Sequence, residues 1–130
     1  MTKGAKNLDI TKTTKGALPR VPFALMKSAI LGDKYELSLS FVSPSEIKRL
    51  SIMYKGDDTH TNILSFPLSK TSGEIIINLA EIKKEAVEFE TSFEKRLIYI
   101  VIHGMLHLAG HSHGSKMESK EKYFLSKFDF

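Results

Sequence analysis

Apolar and polar positions along the chain repeat with two different periods. Val21 to Leu31 (VPFALMKSAIL) carries apolar residues at helical spacing and stops at Gly32, which predicts a short helix. Tyr35 to Val42 (YELSLSFV) alternates instead, with Leu37, Leu39 and Phe41 on one face and Ser38 and Ser40 on the other, the pattern of a half-buried strand. Ser43-Pro44-Ser45-Glu46 then supplies a hydroxyl cap, a proline at the first helical position and a glutamate at the third. A helix to about Tyr54 is expected to follow, with Ile47, Leu50 and Met53 facing inward. Lys55 to Thr61 reads as a polar loop in which His60 is an ordinary surface residue. Asn62 to Phe66 (NILSF) is a short strand stopped by Pro67, which suits a sheet edge. Glu74 to Asn78 (EIIIN), β-branched at three successive positions, is a buried strand.

Asn78 with Glu81, and Thr91 with Glu94, repeat the capping signature ahead of two further helices. Leu97 to Ile102 favours a strand on propensity alone. The cap before it, the four to five turns available and Gly110 as a terminator favour a central, mostly buried helix over Phe93 to Ala109. Lys116 to Phe128 closes the chain as a charged helix with Phe124, Leu125 and Phe128 left for packing. The pattern predicts an α+β domain over residues 21–130, a small mixed sheet of about four short strands packed with about five helices. Residues 1–20, with Lys3, Lys6, Lys12, Lys15 and Arg20 against Asp9, read as a basic arm, solvated and frayed or else meeting phosphates.

At 130 residues and 42% hydrophobic, one domain with a real core is expected. The absence of cysteine excludes disulfide scaffolds, thiolate zinc fingers and thiol nucleophiles. The longest apolar run, Leu97 to Ile102, is far below the roughly 20 residues of a membrane span. No apolar segment follows the early lysines, so no secretory signal is expected and the reading is a soluble, cytoplasmic protein without a membrane partner. The net charge of +4 permits a polyanionic partner without requiring one.

Four of the five histidines lie in HGMLHLAGHSH, residues 103 to 113. His103 and His107 are one turn apart on the same helical face, a pair able to chelate one metal ion through imidazole nitrogens. Gly110 can end the helix in a left-handed conformation and let the chain fold His113 back to the same point. His111 competes for the third position, but its side chain should point elsewhere in an extended turn, so it is expected to line the pocket mouth. Three neutral imidazoles around one divalent ion leave coordination positions open, the catalytic arrangement. The spacing H-x-x-x-H-x-x-G-x-x-H matches zinc endopeptidases except that Gly104 stands where they carry a glutamate base, which disfavours a peptidase. A metal can still lower the pKa of bound water toward ~7, and phosphodiester cleavage suits such a site.

The histidine segment resembles that of the YbeY endoribonucleases, H-G-x-L-H-L-x-G-Y-D-H, without a gap. Tyr54-Lys55 and Thr61-Asn62-Ile63-Leu64-Ser65-Phe66-Pro67 are similar to the family's tyrosine-arginine pair and its T-(D/N)-V-L-S-F-P segment. Gly73-Glu74-Ile75-Ile76-Ile77 resembles the G-(D/E)-I strand that follows. The resemblance implies a metal-dependent, single-strand-specific endoribonuclease acting in ribosomal RNA maturation and ribosome quality control. It implies His103, His107 and His113 around one zinc ion, precursor ribosomal RNA as substrate, and the small ribosomal subunit with its proteins as partners. It further implies Ser65 and Asn62 as substrate contacts and Lys55, the basic residue after Tyr54, as the group that stabilises charge on the phosphate. Lys55 replaces the family's arginine and loses its bidentate fork, while His111 and Ser112 replace a tyrosine and an aspartate. Two rivals remain open at this point: a ribosome- or RNA-binding protein whose metal is structural, and a metallopeptidase.

Overall fold

The structure, a computed structural model, describes residues 2–5, 7–56, 61–112 and 114–128. Among the described residues five strands and five helices follow one another in this order: β1 (Thr2–Ala5), β2 (Leu8–Lys12), α1 (Phe23–Ile30), β3 (Glu36–Phe41), α2 (Pro44–Lys55), β4 (Ile63–Ser69), β5 (Ser72–Ile77), α3 (Leu79–Glu88), α4 (Phe93–Leu108) and α5 (Ser115–Phe128). They form one mixed sheet in the order β1-β2-β3-β5-β4, with β2, β3 and β5 parallel and β1 and β4 added antiparallel at the edges. The architecture is the α+β domain expected, with five strands in place of about four.

The additional strands come from the leading segment, and here the expectation of a solvated arm is corrected. Leu8 and Ile10 alternate with polar neighbours just as Leu37 and Leu39 do, and both are buried in the main core. The five-residue run is too short for its period to stand out beside five basic residues, yet β3 offers it a free ladder to pair with.

Alternation decides which face of the sheet is covered. Leu37, Leu39, Phe41, Ile75 and Ile77 point to the face packed by α4, with Leu97, Val101, Ile102 and Met105 opposite them, all of them almost fully buried. The apolar segment over residues 97–102 is therefore helical, its all-round hydrophobicity explained by burial. On the other face, α2 covers a smaller cluster of Val42, Leu64, Phe66 and Ile76, through Ile47 and Leu50. Met53 faces solvent, contrary to expectation, because one narrow stripe suffices for this small cluster.

Caps fall close to where the sequence put them. Ser43 Oγ accepts from Glu46 N at 3.2 Å, and Asn78 Oδ1 accepts from Glu81 N at 3.3 Å. For α4 the cap is Ser92, accepting from Lys95 N at 3.1 Å, one residue later than the Thr91–Glu94 pairing expected. Two adjacent hydroxyl residues make either position chemically able to cap, and packing chooses. β4 also runs through Pro67 instead of ending before it, because an outward-facing edge position has no ladder donor to lose. Among the described residues no helix is long and apolar enough to cross a membrane.

Candidate active site

The site forms where α4 crosses the free edge of the sheet. Its approach depends on a residue with no side chain: a Cβ added at Gly104 would lie 2.7 Å from Ile63 Cδ1, 3.0 Å from Ser65 Oγ and 3.4 Å from Ile75 Cδ1. Position 104 thus faces the sheet, and glycine lets the helix settle onto β4. A glutamate there would have to push into the helix–sheet contact instead of reaching the cleft, which removes the general base that the peptidase reading needs.

With α4 seated this way, His103 and His107 line one cleft of about 310 Å³ together with Lys55, Ile63, Leu64, Ser65 and Phe66. The imidazoles come from above the sheet, Lys55 from the last turn of α2 below it, and β4 runs between them. His107 and Lys55 are exposed, whereas His103 is half-buried.

His103 Nδ1 lies 2.8 Å from Oε2 of Glu121, an acid buried on α5. A carboxylate on one ring nitrogen fixes the orientation of the imidazole and assigns any metal ligation to the other nitrogen, Nε2. Glu121 was not anticipated. The signal was present in the sequence: Met117, Glu121, Phe124 and Phe128 share one helical stripe, and an acid among apolar residues on a buried stripe needs a partner. The same carboxylate acts on its neighbour Tyr99, whose phenol is pushed up by burial first and by Glu121 second.

The remaining expected residues divide. Ser65 lines the cleft, as anticipated. Asn62 does not: its Nδ2 donates to both carboxylate oxygens of Glu85, at 3.1 and 3.0 Å, and Glu85 also accepts from Arg96 Nε at 2.9 Å. Its amide pins α3 to the start of β4, a contact that links segments too far apart in sequence to be read as a pair. His111 is outside the cleft lining as well. His111 N donates to Leu106 O, and Gly110 N to His107 O, both at 3.1 Å, with Gly110 at φ +98°. This is the paired-bond ending that glycine makes possible, and it closes α4 where expected. His113 and His60 lie outside the described residues. Among the described residues no group of three or more histidines, cysteines or acids could hold a metal. What they do provide is two imidazoles on one cleft wall, one of them carboxylate-oriented, and this donor chemistry fits a divalent ion such as zinc.

Fold and cleft define the class: a small α+β domain with a histidine-bearing helix laid over an edge strand and a cation facing it across that edge. The chain matches the family model for the endoribonuclease YbeY over residues 2–128, and it belongs to the YbeY endoribonuclease family. The endoribonuclease YbeY of Clostridioides difficile is 34% identical over 113 residues, covering 75% of this chain and 74% of that protein. That of Finegoldia magna is 38% identical over 107 residues, covering 73% and 70%. Among solved structures, the solution structure of a Thermotoga maritima protein superposes with a TM-score of 0.64 at 29% identity, covering 93% of this chain and 88% of that one.

Proposed function

We propose that this protein is a metal-dependent endoribonuclease that cuts single-stranded RNA and acts in ribosomal RNA maturation and quality control, in the cytoplasm and with the small ribosomal subunit and its proteins as partners. The observation that carries the reading is the convergence of His103, His107 and Lys55 on one cleft across the edge of β4. Family membership supports the activity, since the relatives carry the name endoribonuclease.

His103 and His107, with His113 as the third donor, would hold one divalent ion, zinc by donor type. When bound, that ion supplies a Lewis acid for the phosphate and lowers the pKa of an attacking oxygen. Glu121 keeps the His103 ring oriented through Nδ1. Lys55, on the opposite wall, pairs with the phosphate and offsets the charge that builds on its oxygens. The cleft is open at the sheet edge, which leaves room for a chain to pass through it.

Purified protein is expected to carry about one divalent metal per chain and to nick single-stranded RNA. His107→Ala should lose both properties together, cleavage by a factor on the order of 10³ if the ion supplies several kcal/mol of charge stabilisation. Unchanged cleavage by His107→Ala stripped of metal would overturn the mechanism.

A further inference from the structure

The register of β4 fixes where its main chain points. Asn78 N donates to Asn62 O, at 2.9 Å, and Val42 N donates to Ile77 O, at 3.0 Å. Ile77 therefore turns its carbonyl toward β3, away from its β4 partner Ile63. Bonding direction alternates residue by residue along an antiparallel pair. Leu64 and Phe66 thus bond to Ile76 and Glu74, while Ile63, Ser65 and Pro67 turn their main-chain groups to the free edge. Pro67 fits this derivation, since proline is accepted where no ladder bond is asked of it.

Ser65 consequently presents an N–H and a C=O side by side into the cleft that also holds Lys55 and the histidines. Phe66 lines the same cleft, and Tyr54, 62% exposed, packs on it with ring centroids 5.1 Å apart. A donor beside an acceptor, next to an aromatic pair and a cation, suits one particular ligand. Each nucleotide offers an adjacent donor and acceptor on the Watson–Crick edge of its base, a π-face for stacking and a backbone phosphate.

We propose that the outward edge of β4 at Ser65, with the Tyr54–Phe66 pair, is a base-reading subsite that takes one unpaired nucleobase next to the phosphate held at Lys55. This rests on the endoribonuclease reading and gives it a physical origin for single-strand selectivity. In a duplex that base edge is already bonded to its partner strand and has nothing left to offer Ser65. Because the reading groups are main-chain, no side chain at position 65 is required for them.

The test is equilibrium binding of a short fluorescent single-stranded RNA to the full chain, beside the same strand annealed to its complement and the same strand with abasic nucleotides. Ser65→Pro deletes the N–H at a position of the kind Pro67 already occupies; Ser65→Ala deletes only the hydroxyl. Expected is a loss of about 5-fold for Ser65→Pro, against less than about 2-fold for Ser65→Ala, from the middle of the range of hydrogen-bond energies. Wild-type protein should bind the abasic strand at least about 5-fold more weakly than the parent strand, and Tyr54→Ala should lose a similar factor, from the low end of base stacking. Should Ser65→Pro fail to fold, the abasic and Tyr54→Ala arms decide. Equal affinity for parent and abasic strands, or equal loss in Ser65→Pro and Ser65→Ala, would overturn the subsite while leaving the nuclease standing; an edge that instead takes an extended peptide would give that result. Wild-type protein that binds no RNA at all would overturn both.

Discussion

Two of the clefts among the described residues, similar in size, use their charges in opposite ways. The cleft at the carboxyl ends of the parallel strands measures about 380 Å³ and is lined by Lys12, Lys15 and Lys83, with Pro44, Leu79 and Phe93. By charge and by topology it is the more obvious anion site, since ligands favour that end of a parallel sheet. Yet Lys12 Nζ donates to Thr14 O, Thr14 Oγ1 and Lys15 O at 2.7 to 3.0 Å, closing the loop after β2. Lys83 lies over the Phe93 ring, 5.7 Å from its centroid. These cations hold loops and rings in place. The edge cleft has fewer charges, but its imidazoles sit on a rigid helix and one is aimed by a buried acid. Oriented donor atoms, more than the number of positive charges, separate a reaction site from a stabilised surface.

The largest effect that would break this contrast is expected at Gly104. Gly104→Glu must place a side chain between α4 and β4, where even a Cβ meets Ile63 and Ser65 at 3.0 Å or less. A loss of about 3 kcal/mol or more is expected from overpacking, read as a fall in melting temperature together with loss of RNA cleavage. A stable, active Gly104→Glu protein would show that the helix does not need its close seat. Next comes Lys55. Lys55→Ala should lower kcat/KM by about 10²-fold if it offsets charge on the phosphate, and Lys55→Arg should recover most of that loss, because a guanidinium grips phosphate through two donors. Equal activity of Lys55→Ala and the native chain would remove Lys55 from the chemistry.

How much of this was readable beforehand follows the range of the interactions. The caps at Ser43 and Asn78, the alternation of β3 and the one-turn spacing of His103 and His107 are local, so short stretches of sequence carry them. The β2 strand was hidden because its pairing partner lies about thirty residues away and its own alternating run is only five residues long. Asn62 fits a substrate contact by its place in a motif, but the long-range bond to Glu85 engages its amide elsewhere. Glu121 is the instructive case. It stands 18 residues from His103, and only the packing of α5 on α4 brings the two together. The acid on an apolar stripe announced a buried partner; it did not say which.

That partnership sets the third prediction. Glu121→Gln keeps an acceptor for His103 Nδ1 but removes the negative charge behind the ring. Metal affinity, measured by competition with a chelator, should fall about 10- to 100-fold, as it does when outer partners of ligating histidines are changed. Cleavage measured at saturating metal should fall less than affinity does. If affinity is unchanged, Glu121 serves the packing of α5 alone, and the ring must be oriented by other contacts.

The smallest effect is expected in the other cleft, and its smallness is what makes it informative. Lys83→Ala removes a cation from the lysine-lined wall but touches no group near the histidines. Cleavage of a short single-stranded RNA should stay within about 2-fold of the native rate, because a charge satisfied by structure, or screened at the surface, adds little to the transition state. Stability should also change little, since Lys83 is an exposed cation whose contact with Phe93 is worth about 1 kcal/mol or less. If Lys83→Ala instead lowered the salt dependence of RNA binding by close to one charge, the lysine cleft would be touching phosphates after all. The two clefts would then be stations on one RNA path, passing where the end of β5 pairs with the start of β4 at Ile77 and Ile63, instead of a site and a support.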